Sequence, residues 1–525
     1  MAAQTLLESG MKVLMLDGGM MDSKYKSLIP DTSYTDFRQK ADDQYKILIG
    51  ENLEGLNWGE VSTGAQLTPP RKFITDQVEI FLPLESNNFH PMESLALGGL
   101  GGAWGLGSCI YSPPELEKAG LNANKMHEAY RVVSDRIGIS ASNDDASPYT
   151  SGGFNYFLPE LEIDSNAKSL YDKYKKKRND LNRDGFFMGK PALALLTEDK
   201  GERKKCSYND MDFYSDKDKS AYRPWITIEE MKTKYKNSFI YLGEKLVKEF
   251  SEENNFTTVT CIDMMDNSVK TYSCIKLVLA SGVLGTARIV MRSVKSENVK
   301  FPILTNPYCY IPCIQPGMLG KSADQRRSDF AQLSLFHDPD KTNADVAMAS
   351  IYSYHSLMLF RIIREAPLNF KDGRKMMRWL LPAMTIMGIH LPQQASEGKY
   401  LKMMKDENSP TGDKLFAEYS LNEEEKLSRK IREKKFLHAM RKLNCFAIKK
   451  IDPGFGSSIH YAGTLPFNDN EAEFTLNPSG RLNKFKNIFV ADGSGFKYLP
   501  AKGLTFSLMA NAHNVAKTVI EDARK

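Results

Sequence analysis

Residues 456–464 read Gly-Ser-Ser-Ile-His-Tyr-Ala-Gly-Thr, and residues 487–496 read Asn-Ile-Phe-Val-Ala-Asp-Gly-Ser-Gly-Phe. Ile488 to Val490 is a short, wholly apolar run, the pattern of a strand buried on both faces. Asp492-Gly493-Ser494 forms the turn at its C-terminal edge, and a long helix is predicted from about Thr505. Open α/β sheets bind ligands beyond that edge.

The N-terminus supplies a second piece of the same kind of sheet. Residues 2–9 are good helix formers with apolar positions on one face. Gly10 suits the left-handed residue after a helix. Val13 to Leu16 then read as a parallel strand buried on both faces, with Asp17 at its C-terminal end. Helix, tight turn, strand and acid make the second half of a dinucleotide-binding unit, in which the acid accepts hydrogen bonds from ribose hydroxyls. A strand and a GxGxxG loop precede that helix in a whole unit. Neither occurs before Ala2 in this sequence, so both are expected upstream and Met1 is not expected to be the functional start.

Between these ends lie two glycine-marked turns. Leu95 to Gly107 carries six glycines, among them Gly98, Gly99, Gly101 and Gly102, followed by Ala103 and Trp104. That density excludes a regular helix or strand and suits a backbone that must approach a flat ligand. Gly101 and Gly102 are expected to face it. Ile275 to Leu279 reads as a buried strand running into Ala280-Ser281-Gly282 and a helix near Gly285, a place where backbone N–H groups can face a phosphate. Thr271 to Ala280 is taken as one strand, and Tyr241 to Phe250 as a helix. Pro113-Pro114-Glu115-Leu116 starts another helix.

Residues 296–450 change character. Runs at Gln332–Phe336, Val346–Tyr352, Leu357–Ile363, Ala383–His390 and Lys414–Ser420 suggest a mostly antiparallel sheet. Residues 423–443 read as a charged helix with Leu427, Ile431, Leu437 and Met440 inward.

Taken together, HxxGT at 460–464, ADGS at 491–494, the glycine loop at Ala96–Ser112, the Leu277–Ser293 segment and the αβ unit at 2–19 resemble the glucose–methanol–choline family of flavin oxidoreductases, in that family's order. The resemblance implies FAD, a substrate lobe covering the flavin, and removal of an alcohol's hydroxyl proton as hydride passes to the cofactor. It matches His460 to the histidine facing the flavin, a role an imidazole can fill near neutral pH. It places Asp17, Gly98, Gly99, Gly101, Gly102, Ala103, Trp104, Gly282, Asp492, Gly493 and Ser494 at the cofactor. The family's second active-site His or Asn falls by register near Lys502-Gly503, so Lys502 becomes the candidate assistant, against the alternative of a surface lysine.

The expected molecule is a two-lobed α/β protein. A Rossmann-like FAD lobe spans 1–295 and 451–525, with insertions at 20–92 and 141–235, and an antiparallel substrate lobe spans 296–450. Its expected reaction is oxidation of a CH–OH group on a sugar or other polar alcohol, the electron acceptor being open. The rivals are an NAD-dependent dehydrogenase, since Asp17 fits either cofactor, and a non-catalytic flavoprotein fragment.

Composition agrees with an ordinary soluble protein with a sizeable core. Among 525 residues, 42% are apolar and 26% charged, and the net charge of +5 gives no electrostatic case for nucleic acid. The seven cysteines form no CxxC pair, so no metal site is expected and a reducing compartment is. No run reaches the ~18–20 apolar residues of a membrane span. The start lacks the basic region of a signal peptide. A cytoplasmic location is expected, with peripheral membrane contact left open.

Overall fold

In the computed structural model the described residues are all but 26, 31, 33–35, 38–39, 54–66, 68, 209–215, 254–255, 295–298, 323, 325–329, 354–366 and 525. The predicted strand at Leu357–Ile363 lies outside them. Helix α1 (Ala2–Glu8) closes with Gly10 N–H on the Leu7 carbonyl and Met11 N–H on the Leu6 carbonyl. This double bond pattern requires the left-handed φ of +89° at Gly10. Strand β1 (Val13–Leu16) follows.

Helix α2 (Pro113–Ala119) opens with a capping box between Ser112 and Glu115. Next come α3 (Ala123–Ile137), α4 (Ser165–Arg183), β2 (Phe186–Gly189), α5 (Pro224–Lys234) and β3 (Phe239–Leu242). Strands β4 (Lys245–Glu253), β5 (Phe256–Asp263) and β6 (Val269–Cys274) form an antiparallel sheet. Strand β7 (Leu277–Leu279) leads through Gly282 into α6 (Val283–Val294).

Two expectations fail in this stretch. Tyr241 to Phe250 is not a helix but the end of β3, a turn and the start of β4. Leu246 and Phe250 are buried four residues apart, a spacing that one face of a strand shares with one face of a helix. Glu244, at φ +59°, breaks the chain between the strands. Thr271 to Ala280 is likewise two strands in different sheets, separated at the exposed Ile275.

The second lobe holds β8 (Tyr308–Ile314), β9 (Leu333–His337), β10 (Ala347–Ser353) and β11 (Met384–His390). With β2 at one edge and the short strand Phe446–Ala447 at the other, they make a six-stranded sheet in the order 446–447, β8, β11, β10, β9, β2. Every pairing in it is antiparallel. Its edge strand β2 comes from the 141–235 region, far outside 296–450. Strands β12 (Lys399–Lys405) and β13 (Asp413–Tyr419) form part of a separate four-stranded sheet.

Alternation decides the two faces of the six-stranded sheet. Cys309, Ile311, Leu335, Ala349, Met387 and Ile389 pack with Leu170 and Tyr174 of α4 and with Phe436 and Met440 of α7 (Glu423–Lys442). Each large apolar side chain so buried contributes about 1.5–3 kcal/mol. Tyr308, Tyr310, Met348, Ser350 and His390 point the other way, into a cavity. In α7, Leu427 and Ile431 are exposed rather than inward. The buried face is instead Glu433, Phe436, Ala439 and Met440, because only the C-terminal half of the helix meets the sheet.

The chain returns to the first lobe through β14 (Ile488–Val490) and ends in α8 (Thr505–Ala523). Strand β14 pairs in parallel with β7, and β1 in parallel with β3. Among the described residues each pair forms its own two-stranded sheet, with Arg481 bridging the far edge of β14, and β1 and β7 each keep one unpaired edge. Leu14 of β1, expected to be buried on both faces, is 40% exposed. Leu6 of α1 packs with Phe489 of β14 and with Val515 and Val519 of α8.

Candidate active site

One cavity of about 1550 Å³ runs from β1 and β7 past the glycine loop to the six-stranded sheet. The two C-terminal motifs meet on its wall. Gly463, Leu465 and Phe467 donate backbone hydrogen bonds to Gly493, Ser494 and Gly495 at 3.0, 2.8 and 2.8 Å. This ladder explains the glycine after His460. Gly463 has φ +84°, and a Cβ there would stand 3.1 Å from the Phe496 carbonyl oxygen.

His460 is aimed by strain and by one amide. Ile459, just before it, is held at φ +60°, a conformation costing about 1–3 kcal/mol for a branched residue. His460 Nδ1 lies 2.9 Å from Asn306 Oδ1. Asn306 cannot be turned over, because its Nδ2 donates to the carbonyls of Leu391, Pro500 and Leu499 at 2.8, 3.0 and 3.4 Å. Its oxygen therefore faces the histidine, and Nδ1 must carry the hydrogen. Nε2 is left with a lone pair, the form a proton acceptor needs.

A run of rings backs this imidazole. His390 lies beside His460 with centroids 5.3 Å apart, and Tyr308 packs on His390 at 4.5 Å. His390 and Tyr308 are partners in the β8–β11 register, and all three residues line the cavity. Burial lowers the His460 imidazole to about 4. Burial, then the neighbouring His460, lowers that of His390 to about 3. Both rings are neutral at ordinary pH. A rate that depends on His460 as base should be level at neutral pH and fall as pH drops toward about 4. Stability follows the same sign. The folded values lie below the unfolded one, so the contribution is whole above about 6.5 and lost as pH falls through those values. Stopped-flow rates and melting temperatures across the acid range test both; a rate still rising through neutral pH would point to another base.

At the far end, Asp17 accepts from Gly98 N–H at 3.2 Å and from the Tyr241 hydroxyl at 3.1 Å, and burial raises its carboxyl above the usual range. Gly98, Gly99, Gly101, Ala103 and Trp104 line the cavity, and Trp104 Nε1 donates to the Tyr222 carbonyl. Gly99 and Gly282, at φ +63° and +76°, present bare backbone with nothing within 4 Å of a Cβ. Asp492 and Gly493 also line it, the Asp492 carboxylate being held by Thr286 Oγ1 at 2.6 Å and by Ser494.

Three members of the predicted set, Gly101, Gly102 and Ser494, are not placed as expected. The Cβ directions of Gly101 and Gly102 meet the Pro224 ring at 2.5 Å and Ile74 at 2.9 Å, so these glycines admit protein neighbours rather than a ligand. Gly102 and Ser494 are not on the cavity wall.

Among solved structures, pyridoxine 4-oxidase from Mesorbium loti is similar over 99% of this chain and 96% of its own, with a TM-score of 0.58 at 11% identity. The two share a fold. No protein-family model matches the chain, and no curated protein does.

Lys502 is not brought to His460. Its neighbours Ala501 and Gly503 line the cavity, but its own side chain turns away and is fully buried. Nζ bonds Glu115 Oε2 at 2.8 Å and Asn343 Oδ1 at 3.0 Å. It is neither the expected assistant nor a surface lysine. The partners that His460 does have, Asn306 and His390, carry no motif. His390 shows in the sequence only as a polar interruption of an apolar run.

Among the described residues no cluster could hold a metal ion, all seven cysteines are free, and no helix is long and apolar enough to cross a membrane.

Proposed function

We propose that the protein is an FAD-dependent oxidoreductase acting on the CH–OH group of a small polar alcohol, the donor class that includes sugars. The observation that carries this reading is His460, fixed in the one tautomer that offers Nε2 to the cavity. The motif resemblance and the fold shared with an enzyme named as an oxidase support it.

The residues present fit the cofactor. The cavity is continuous from Asp17 to His460, and Gly99 and Gly282 leave backbone open to a ligand along it. Asp17 would take the ribose hydroxyls. Arg288, Arg292, Lys245 and Lys276 on the wall are each engaged by a carboxylate, so phosphate would fall to backbone N–H groups at the start of α6 and to Lys12, which also lines the wall. When bound, FAD supplies the acceptor for the hydride that leaves the carbinol carbon. This chain's own part is proton removal. His460 Nε2 takes the hydroxyl proton while Asn306 holds the opposite nitrogen, and His390 and Tyr308 keep the ring from turning.

Purified protein should take up FAD stoichiometrically and be bleached by an alcohol without oxygen. Protein that stays colourless with added FAD would overturn the reading. Asn306→Leu should free the tautomer and slow bleaching about ten-fold, the effect of one net hydrogen bond, with FAD content as the control. An unchanged rate would remove Asn306 from the mechanism.

A further inference from the structure

The helix Phe370–Leu380 leads through the single turn Leu381–Ala383 into β11, and its two faces are unlike. Met376, Met377 and Leu380 pack with Met384 and Ile386 at the start of β11. The opposite face carries Lys371, Lys375 and Arg378 at i, i+4 and i+7, one stripe of a helix. All three are exposed, and none has an ion-pair partner among the described residues. The one acid of the helix, Asp372, is engaged by its capping residue Asn369.

Apolar surface stands among these charges. Trp379, one turn beyond Lys375, is 53% exposed, and Leu368, just before the helix, is 46% exposed. The edge of the indole rests on Gly320, where a Cβ would lie 2.8 Å from Nε1. Gly320 N–H donates to the Trp379 carbonyl at 2.9 Å, which brings the exposed Lys321 to the same face. Folding alone does not call for this arrangement, since it leaves an indole and a leucine in water and sets like charges near one another. A membrane surface answers both features. Tryptophan is favoured at the interface between headgroups and acyl chains, and lysine and arginine around it meet anionic lipid. A nucleic acid would match the charges and leave Leu368 in water.

We propose that this face docks on the anionic headgroup layer of a membrane, Trp379 and Leu368 entering the interface and Lys321, Lys371, Lys375 and Arg378 meeting the lipid phosphates. The contact is peripheral and needs no spanning helix. Ile386, which packs under the helix, also lines the cavity, so docking would bring that end of the cavity to the membrane.

The test sediments the purified full chain with vesicles of phosphatidylcholine alone and with about 30% phosphatidylserine, each at low salt and at about 0.5 M salt. The protein should bind the anionic vesicles at low salt, leave them at high salt and ignore the neutral ones. Each basic residue near an anionic surface is worth about five-fold in binding, so Lys375→Glu/Arg378→Glu should weaken it at least ~25-fold. Lys125→Glu/Lys236→Glu, at two exposed positions of the first lobe, makes the same change in net charge and should leave most of the binding. Tryptophan emission should shift to the blue on binding, and Trp379→Phe should remove that shift while the protein still sediments. Melting temperatures check that each variant is folded. Equal binding to both vesicles, no binding to the anionic ones, or a Lys375→Glu/Arg378→Glu variant that binds like wild type overturns the docking surface. A single-stranded RNA is run beside the vesicles. RNA bound in their place, and released by the same double variant, overturns the membrane in favour of nucleic acid.

Discussion

His460→Ala should slow alcohol-driven bleaching of the FAD-loaded protein by about 10²–10⁴-fold, the usual worth of a positioned proton acceptor. The size of the effect follows from what remains. Among the described residues no other histidine on the cavity wall is held by a fixed amide, and His390 is still harder to protonate, at about 3. FAD content should persist, since Asp17 and Gly282 lie elsewhere on the cavity wall. Added imidazole should restore part of the rate, because the deleted side chain leaves a space of its own shape. Rapid-mixing measurement of flavin absorbance reads all three. A variant reduced as fast as wild type would remove His460 from the reaction.

Lys502→Met should cost about 3–5 kcal/mol of folding stability, the loss expected when one partner of a buried ion pair is removed. Lys502 and Glu115 are both fully buried. Without the ammonium, the Glu115 carboxylate keeps the Ser112 N–H of its capping box, while its Oε1 has no partner among the described residues. A loss of that size is a large part of the 5–15 kcal/mol typical of a folded domain. The double variant Lys502→Met/Glu115→Gln should recover most of it, since a neutral amide can still accept from Ser112. Denaturant midpoints of wild type, single and double variants give the cycle. A single variant as stable as wild type would show that the pair is not closed.

Much of the fold was legible because it is written in local patterns. Apolar runs bounded by glycine or acid located β1, β7 and β14, and short strand-like runs located β9, β10, β11 and β13. Misreadings came where one pattern serves two structures. The four-residue spacing of Leu246 and Phe250 fits either a helix or a strand, and the register of Lys502 says nothing of where its side chain turns. The site was half legible. His460 sits in a turn whose glycine is forced by the close approach of Phe496. Asn306 and His390 sit in or beside ordinary strands, and they meet His460 only because the antiparallel lobe packs against the first. No spacing in the chain encodes that meeting.

The clamp on Asn306 also limits where a proton can go. Three backbone carbonyls fix the amide, and the amide fixes His460 Nδ1 as a donor to an oxygen that cannot pass the charge on. The imidazole is a cul-de-sac rather than a wire. In the proposed reaction a proton taken at Nε2 would have no exit through Asn306 behind the ring and would leave by the face through which it entered, so its release would wait until the cavity empties.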